Sequence, residues 1–228
     1  MADGFELLAR IPHDASAFTQ GLAWLGPDLV LESTGLYGHS SLRRVRVSSG
    51  EVLSKRLLSA DLFGEGIAIL GSRVYQLTWQ SGVAIEYGLD LTVVRTVRYE
   101  GEGWGLCRFG DFLMRSDGSE FLRVIRPDTF EVEETLEVRD HGEPLQMLND
   151  LEIVGEQILA NVWGRDSIAV IDRVTGTVDC WIDLSVLRPP VLNPQRAVLN
   201  GIAYDALTQT LYVTGKFWPL MYAVRVFR

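Results

Sequence analysis

Short apolar runs alternate with polar turns along the whole chain, and they recur at a nearly constant period. The runs are rich in β-branched residues, and the turns between them are rich in Gly, Asp, Pro and Ser. No segment keeps the apolar period of about 3.6 residues that is typical of a helix beyond two turns. The pattern therefore predicts an all-β protein made of many short strands.

A four-residue segment marks the start of each period. The five copies are Thr19-Gln20-Gly21-Leu22, Gly64-Glu65-Gly66-Ile67, Gly101-Glu102-Gly103-Trp104, Leu148-Asn149-Asp150-Leu151 and Leu199-Asn200-Gly201-Ile202. The polar members of successive copies are 45, 37, 47 and 51 residues apart. A period of this length filled with four short strands is typical of a propeller blade. We predict a five-bladed β-propeller, with four antiparallel strands per blade, that spans residues 1–228 as one domain.

The two ends of the chain complement each other in this scheme. The fifth copy ends after its third run, at residues 220–226, and lacks a fourth strand. An additional apolar run, at residues 5–11, precedes the first copy. Pairing this N-terminal strand with the last blade would close the ring and remove exposed strand edges. We expect this closure, and we expect a monomer because a closed ring has no free edge.

Composition and charge narrow the classes of partner. A chain of 228 residues that is 47% hydrophobic can bury one sizeable core. Its net charge of −9 disfavours nucleic-acid binding, which needs clustered Lys and Arg, and no apolar run is long enough to cross a membrane. Residues 1–4 lack the features of a signal peptide, which predicts a cytoplasmic protein as the sequence is written. A periplasmic or secreted chain whose leader had been removed would look the same.

The repeat also predicts which side chains meet at one mouth of the central channel. The first strand of a blade is innermost and the second returns beside it, so the start of one and the end of the other share a mouth. The predicted inner ring is Gln20, Glu65, Glu102, Asn149 and Asn200. The residue 14 positions after each inner-ring residue, or 16 positions after it in the last blade, should lie beside it. These residues form a predicted adjacent ring of Thr34, Trp79, Ser116, Trp163 and Lys216. A concave mouth with carboxylates, amides, indoles and an ammonium group predicts a small-ligand site.

Purely structural roles remain open for several of these residues. Gln20 and Asn200 are equally well explained by hydrogen bonds between blades. Glu65 and Glu102 could instead be calcium ligands in the channel, since calcium favours carboxylate and amide oxygens. The histidines and cysteines have neither the spacing of a zinc site nor the arrangement of a catalytic triad. They are His13, His39, His141, Cys107 and Cys180. We therefore predict no metal ligand among the site residues.

At these positions the sequence resembles the plant and bacterial type of glutaminyl cyclase (glutamine cyclotransferase). The resemblance runs through all five repeats, and it is carried by residues 18–22, 32–38, 63–66, 77–79, 102–106, 116–119, 148–151, 161–163 and 199–202. It implies a five-bladed propeller that does not depend on zinc. It also implies conversion of the N-terminal glutaminyl residue of a peptide or protein to pyroglutamate, with release of ammonia.

The resemblance assigns the acid–base role to Glu65. Desolvation in a tryptophan-walled mouth should raise the pKa of this carboxyl group into the range that suits proton transfer. Asn149 would hold the substrate by hydrogen bonds, and Lys216 would stabilise negative charge on the carboxamide oxygen. The predicted substrate-binding residues are Phe18, Gln20, Trp79, Trp104, Trp163, Glu102 and Asn200. We expect no required cofactor, although a structural calcium or another ion could occupy the channel.

Two other functions remain open at this point. A calcium-dependent lactonase of the propeller type would also present Glu and Asn at the axis. Such an enzyme has six blades, which at ~45 residues per blade would need about 270 residues. A non-catalytic propeller that binds a peptide at the same mouth is the second alternative, because a fold does not determine function.

Overall fold

The computed structural model describes residues 4–227, and all of its sheets are antiparallel and short-stranded. The chain begins with β1 (Phe5–Pro12). The first blade contains β2 (Thr19–Gly26), β3 (Leu29–Thr34), β4 (Ser41–Arg46) and β5 (Val52–Leu57). The second contains β6 (Gly64–Leu70), β7 (Arg73–Thr78), β8 (Val83–Gly88) and β9 (Val93–Arg98). The third contains β10 (Leu106–Phe109), β11 (Phe112–Arg115), β12 (Phe121–Ile125) and β13 (Val132–Glu137).

A small hairpin separates the third blade from the fourth. It consists of β14 (Arg139–Asp140) and β15 (Glu143–Pro144). The fourth blade contains β16 (Leu148–Val154), β17 (Gln157–Val162), β18 (Ser167–Asp172) and β19 (Val178–Asp183). A single 3-10 turn, Ser185–Leu187, lies in the connection to the last blade. That blade contains β20 (Leu199–Asp205), β21 (Thr210–Gly215) and β22 (Leu220–Val226).

The N-terminal strand supplies the missing strand of the fifth blade. The strand order of this sheet is β1-β22-β21-β20, and β1 pairs antiparallel with β22 from Phe5 opposite Val226 to Pro12 opposite Leu220. The backbone N–H of His13 continues the pairing with a hydrogen bond of 2.9 Å to the carbonyl of Pro219. The predicted five blades, four strands per blade and ring closure by the N-terminal strand are therefore confirmed. Five blades are one fewer than the lactonase alternative requires.

Burial follows the position of each strand within its blade. The second strands β3 and β17 are buried along almost their whole length, because neighbouring blades cover both of their faces. The fourth strands β5, β9 and β13 are mostly exposed, since they form the rim of the ring. The apolar contacts lie mainly between blades, as in the cluster that joins Leu122, Leu148 and Ile158.

The inner strands approach one another closely around the axis. A Cβ atom on Gly66 would lie only 2.5 Å from the backbone nitrogen of Leu106, so only glycine allows this spacing between the second and third blades. The corresponding position of the fourth blade is occupied by Asp150, which is fully buried. Its Oδ2 accepts hydrogen bonds from the backbone N–H groups of Leu22 (3.2 Å) and Ile202 (2.9 Å). The Asp150 carboxyl group therefore links the first and fifth blades at the axis.

The pairing of β10 with β11 corrects the predicted register of the third blade. Leu106 pairs with Arg115 as Ile67 pairs with Gln76 in the second blade, and both hairpins close with two-residue turns. Trp104 is therefore the equivalent of Glu65, and the true inner ring is Gln20, Glu65, Trp104, Asn149 and Asn200. The prediction that Glu102 belongs to this ring was wrong. Glu102 lies two residues before Trp104, the ring member of its blade. The prediction failed because Gly101-Glu102-Gly103 is similar in sequence to Gly64-Glu65-Gly66 but has a different register.

Two members of the predicted adjacent ring are also shifted. The pairing of Thr19 with Thr34 makes Gly35, rather than Thr34, the equivalent of Trp79. The register of the third blade places Gly118, rather than Ser116, at that position. The cause in the first blade is an irregularity between Trp24 and Gly26, which lengthens the first hairpin by one residue.

The two chain ends and the cysteines complete the description. Residues 1–3, on which the signal-peptide prediction depends, and residue 228, the end of the predicted domain, lie outside the described residues. Within residues 4–227, no helix has the length and apolar character needed to cross a membrane. Both cysteines are free thiols: Cys107 is buried, whereas Cys180 is only partly buried.

Candidate active site

The catalytic pocket, as we call the cavity at the mouth where the inner strands begin, has a volume of about 260 Å³. Its wall is formed by Phe18, Gln20, Phe63, Glu65, Trp79, Trp104, Met147, Asn149, Trp163 and Lys216. Eight of these ten residues were predicted from the sequence as site residues. The pocket is somewhat smaller than typical sites for drug-sized ligands, which begin near 300 Å³. Its size therefore suits a single side chain.

Gln20 connects the acidic and the basic residue of the pocket. Its Nε2 donates a hydrogen bond of 2.9 Å to Oε1 of Glu65, and its Oε1 accepts one of 2.5 Å from Nζ of Lys216. All three side chains are at most 4% exposed. The second carboxylate oxygen of Glu65 has no hydrogen-bond partner among residues 4–227, and it therefore remains available to a bound molecule. The Nζ of Lys216 also lies 4.6 Å from the ring centroid of Phe18, a cation–π contact.

Burial shifts the pKa values of this pair towards each other. Desolvation raises the pKa of Glu65 well above its usual range; Lys216 opposes the shift, and the negative charges of Glu102 and Asp150 add to it. Desolvation likewise lowers the pKa of Lys216 to about 8, against the opposing effect of Glu65 and Asp150. A raised pKa suits a carboxyl group that accepts a proton in one step and returns it in another.

Two asparagines of the inner ring differ in their availability. The side-chain amide of Asn149, which lines the pocket, makes no hydrogen bond to another side chain or to backbone in the described part of the chain. Asn200 is buried outside the pocket wall, where its Nδ2 donates a hydrogen bond of 3.1 Å to the carbonyl of Thr19. Asn149 is therefore placed to bind a ligand, whereas Asn200 joins the fifth blade to the first.

Glu102 holds two of the tryptophan walls. Its Oε2 accepts hydrogen bonds from the indole N–H of Trp79 at 2.7 Å and of Trp104 at 2.9 Å, and its Oε1 accepts one of 2.9 Å from Gln80. Desolvation would raise the pKa of Glu102, but these three donors outweigh it and the pKa is lowered. Glu102 does not line the pocket. Its carboxylate lies behind the aromatic walls and fixes their orientation.

Small residues make room for two of the aromatic rings. A Cβ atom on Gly35 would lie 2.3 Å from Cε1 of Phe63, and a Cβ atom on Gly118 would lie 2.8 Å from the indole of Trp104. These glycines occupy the positions at which the second and fourth blades carry Trp79 and Trp163. In the first and third blades the space beside the glycine is filled by the ring of Phe63 or Trp104. In the second and fourth blades Trp79 and Trp163 supply the ring at this position themselves.

The other shifted residues have structural roles. Thr34 is fully buried, and its hydroxyl lies 2.7 Å from that of Ser41. The hydroxyl of Ser116, also buried, donates a hydrogen bond of 2.8 Å to the carbonyl of Asn149 and accepts one from the N–H of Gly105. Both hydroxyls therefore hold strands together beneath the pocket.

Sequence reasoning missed Phe63, Met147 and Asp150. Phe63 and Met147 stand two residues before the ring positions of their blades, as Phe18 does in the first blade, so the repeat itself carried that signal. Asp150 stands where the other four blades have glycine, and the five repeated segments of the sequence already showed this difference. No group of three or more His, Cys, Asp or Glu side chains in residues 4–227 is arranged to hold a metal ion.

Comparison with known proteins identifies the family. The glutamine cyclotransferase family model matches residues 2–226. The chain is 40% identical over 226 residues to the glutaminyl-peptide cyclotransferase of Arabidopsis thaliana, covering 97% of this chain and 71% of that protein. The crystal structure of Myxococcus xanthus glutaminyl cyclase superposes with a TM-score of 0.90 at 37% identity, covering 97% of this chain and 96% of that one. The chain thus belongs to the glutamine cyclotransferase family.

Proposed function

We propose that this chain is a glutaminyl-peptide cyclotransferase, which converts the N-terminal glutaminyl residue of a peptide or protein to pyroglutamate and releases ammonia. The observation that carries the proposal is the buried Glu65, connected through Gln20 to Lys216, in a pocket with aromatic walls. The family relationship and the two relatives named above support the same activity.

The reaction needs little beyond orientation and proton transfer. The α-amine of the substrate attacks the Cδ carbon of its own side chain, so a new N–Cδ bond forms and the bond from Cδ to the amide nitrogen breaks. Because the nucleophile is already tethered, holding the side chain in the folded conformation supplies much of the acceleration. The aromatic walls formed by Trp79, Trp104, Trp163 and Phe18 suit this task, since they confine an uncharged side chain and exclude water.

Glu65 performs the proton transfer in this proposal. Its free oxygen takes a proton from the attacking amine and returns it to the departing amide nitrogen, which leaves as ammonia. The raised pKa of Glu65 makes it a stronger base towards the amine than an ordinary carboxylate, while it can still return the proton. Lys216 stabilises the negative charge that develops on the carboxamide oxygen, and the unpartnered amide of Asn149 holds the substrate by hydrogen bonds.

The activity is tested with three peptides that differ only at the N-terminus. One begins with glutamine, the second with glutamine whose α-amine is acetylated, and the third with asparagine. We expect ammonia release, and loss of one ammonia from the peptide mass, for the first peptide alone. Acetylation removes the nucleophile, and asparagine would have to form a strained four-membered ring. Failure of the first peptide to react with folded protein would contradict the proposal.

Independence from a cofactor and the monomeric state are further parts of the proposal. Turnover should be unchanged by EDTA, and a loss that a divalent cation restores would contradict metal independence. If an ion in the channel has a structural role, EDTA should lower the melting temperature of the protein while the folded fraction keeps its kcat. Sedimentation of the protein at micromolar concentration should give the mass of a single chain.

A further inference from the structure

A second cavity adjoins the catalytic pocket above the first blade. It has a volume of about 470 Å³, and we call it the blade-1 groove. Its wall is formed by Ser16, Phe18, Thr34, Gly35, Leu36, Gly38, His39, Arg43, Lys55 and Leu57. Phe18 lines both cavities. Gly35 lines the blade-1 groove and also borders the catalytic pocket, because a Cβ atom on it would lie 2.3 Å from Phe63 and 3.1 Å from Gln20.

The groove runs outward from the axis on the same face as the catalytic pocket. The start of β2, the end of β3, the start of β4 and the end of β5 all lie at this face, since successive strands are antiparallel. Phe18 precedes β2 at the inner end, and Lys55 and Leu57 end β5 at the outer end. Four strands spaced by about 4.8 Å span about 14 Å, which is the length of about four residues of extended peptide. A peptide whose first residue fills the catalytic pocket can therefore leave along this groove.

The groove holds two cationic side chains, Lys55 and Arg43. The guanidinium group of Arg43 also lies near Asp14 (2.7 Å) and the buried Glu32 (3.6 Å). Arg43 is only 4% exposed, and it uses Nε on Ser41 (3.1 Å) and Nη1 on Asp14 (2.7 Å). Its Nη2 has no hydrogen bond to any residue between 4 and 227. Lys55 is exposed at the outer end of the groove and forms no ion pair within the same residues. The nearby Asp14 is already compensated by Arg43 and by hydrogen bonds from Ser16.

We propose that the blade-1 groove binds the residues that follow the N-terminal glutamine and favours a carboxylate among them. The carboxylate is either an acidic side chain in the second to fourth position or the C-terminus of a short peptide. Arg43 Nη2 and Lys55 Nζ are the groups that bind it. This inference rests on the proposed cyclisation activity, because it describes the remainder of the same substrate. In a protein with a net charge of −9, such a preference would not arise from the overall field, which repels anions.

The test uses a set of amidated tetrapeptides derived from Gln-Ala-Ala-Ala. Glu or Lys replaces Ala at the second, third or fourth position, and a free-acid Gln-Ala-Ala is compared with its amide to separate the two sources of carboxylate. We expect kcat/KM to be about fivefold higher for Glu than for Lys at one or more positions, as for a partly exposed ion pair. The preference should shrink in 0.5 M salt, because exposed charges are then screened.

A matched pair of variants places the effect in the groove. Lys55→Glu reverses the charge of an exposed residue that has no partner, so it should leave the fold intact. Arg98→Glu makes the same change at the end of β9, the equivalent outer strand of the second blade, outside both cavities. We expect Lys55→Glu to abolish or invert the preference for Glu peptides and Arg98→Glu to retain it.

The outcomes separate this inference from the proposed function. Turnover of Gln-Ala-Ala-Ala with equal kcat/KM for Glu and Lys peptides would overturn the groove proposal and leave the cyclase activity standing. Equal loss of preference in both variants would also overturn it, because the effect would then come from the general field. Absence of turnover with every peptide would overturn the activity and the groove proposal together.

Discussion

The side-chain amide of Gln20 donates a hydrogen bond of 2.9 Å to the buried carboxyl group of Glu65. This bond occupies one carboxylate oxygen and leaves the other facing the catalytic pocket. A proton acceptor with a fixed orientation is more effective than a freely rotating one, because its position relative to the substrate amine is set before binding. The same glutamine accepts a hydrogen bond from Lys216, so the acid–base residue and the cation are held at a defined separation.

Glu102 holds Trp79 and Trp104 by accepting a hydrogen bond from each indole, an arrangement that we call the Glu102 clamp. The variant Glu102→Gln tests it. A glutamine that keeps its carbonyl oxygen towards the two indoles would turn its NH2 group towards Gln80, which is also a donor, and its neutral oxygen accepts more weakly than a carboxylate. Trp79 and Trp104 should therefore be held less firmly. We expect KM for a glutaminyl peptide to rise about tenfold, as for the loss of about one charged hydrogen bond. The acid limb of the pH–kcat profile should also move to lower pH, because the charge of Glu102 raises the pKa of Glu65.

Glu100→Gln is the control for this variant. It removes the same charge two residues away, from an exposed side chain, while the indole N–H groups of Trp79 and Trp104 both donate to Glu102. An equal rise in KM in both variants would show that the clamp has no role in substrate binding.

The position of the Trp104 wall depends on a glycine, and Gly118→Ala tests this. The new methyl group would lie 2.8 Å from the indole and should displace it, which should raise KM and lower the melting temperature. Gly110→Ala is the matched control, because both glycines have a positive φ, 62° at Gly110 and 82° at Gly118. A Cβ atom on Gly110, however, would meet nothing within 4 Å. Both variants carry the backbone cost of about 1–2 kcal/mol. A KM that rises equally in both would contradict the role of Gly118 in placing Trp104.

The pH dependence of turnover should reflect the pair Glu65 and Lys216. Activity should rise with pH as Glu65 loses its proton, above the usual range of a carboxyl group, and should fall as Lys216 loses its proton at about pH 8. In Lys216→Met the acid limb should move to higher pH, because the ammonium group lowers the pKa of Glu65.

Measurement of kcat against pH for the wild type and Lys216→Met gives both limbs. Saturating substrate is needed, so that the limbs describe the enzyme–substrate complex rather than the free substrate amine. An acid limb that stays in place in the variant would contradict the proposed coupling between the two residues.

The number of blades and the closure of the ring could be predicted because they depend on local patterns. Apolar runs, turn residues and a missing final strand are all visible along the chain, and the N-terminal strand had one evident partner. The two rings predicted from the same repeat contain six of the pocket residues, whereas Phe18 and Trp104 were predicted with the resemblance to the family. The positions of Gln20, Glu65 and Asn149 were correct because the start of the first strand is equivalent in their three blades.

The errors arose where similar short segments had different registers. Gly101-Glu102-Gly103 looks like Gly64-Glu65-Gly66, but strand pairing makes Trp104 the equivalent of Glu65. No local pattern encodes this difference, because it depends on how β10 meets its neighbours. The contact between Lys216 and Gln20, which are 196 residues apart, and the clamp at Glu102 likewise depend on three-dimensional packing.

The most direct test of the proposed mechanism is the kcat of Glu65→Gln with a peptide that begins with glutamine. The variant keeps the size of the side chain and removes only its ability to accept a proton, so we expect kcat to fall by about 10³-fold and the melting temperature to change little. Glu152→Gln is the control. Glu152 lies on β16, towards the end away from Asn149 and outside the catalytic pocket, and burial raises its pKa to about 7. The control variant should keep its kcat. A Glu65→Gln protein that folds normally and retains more than about a tenth of the wild-type kcat would contradict the assignment of Glu65 as the group that transfers the proton.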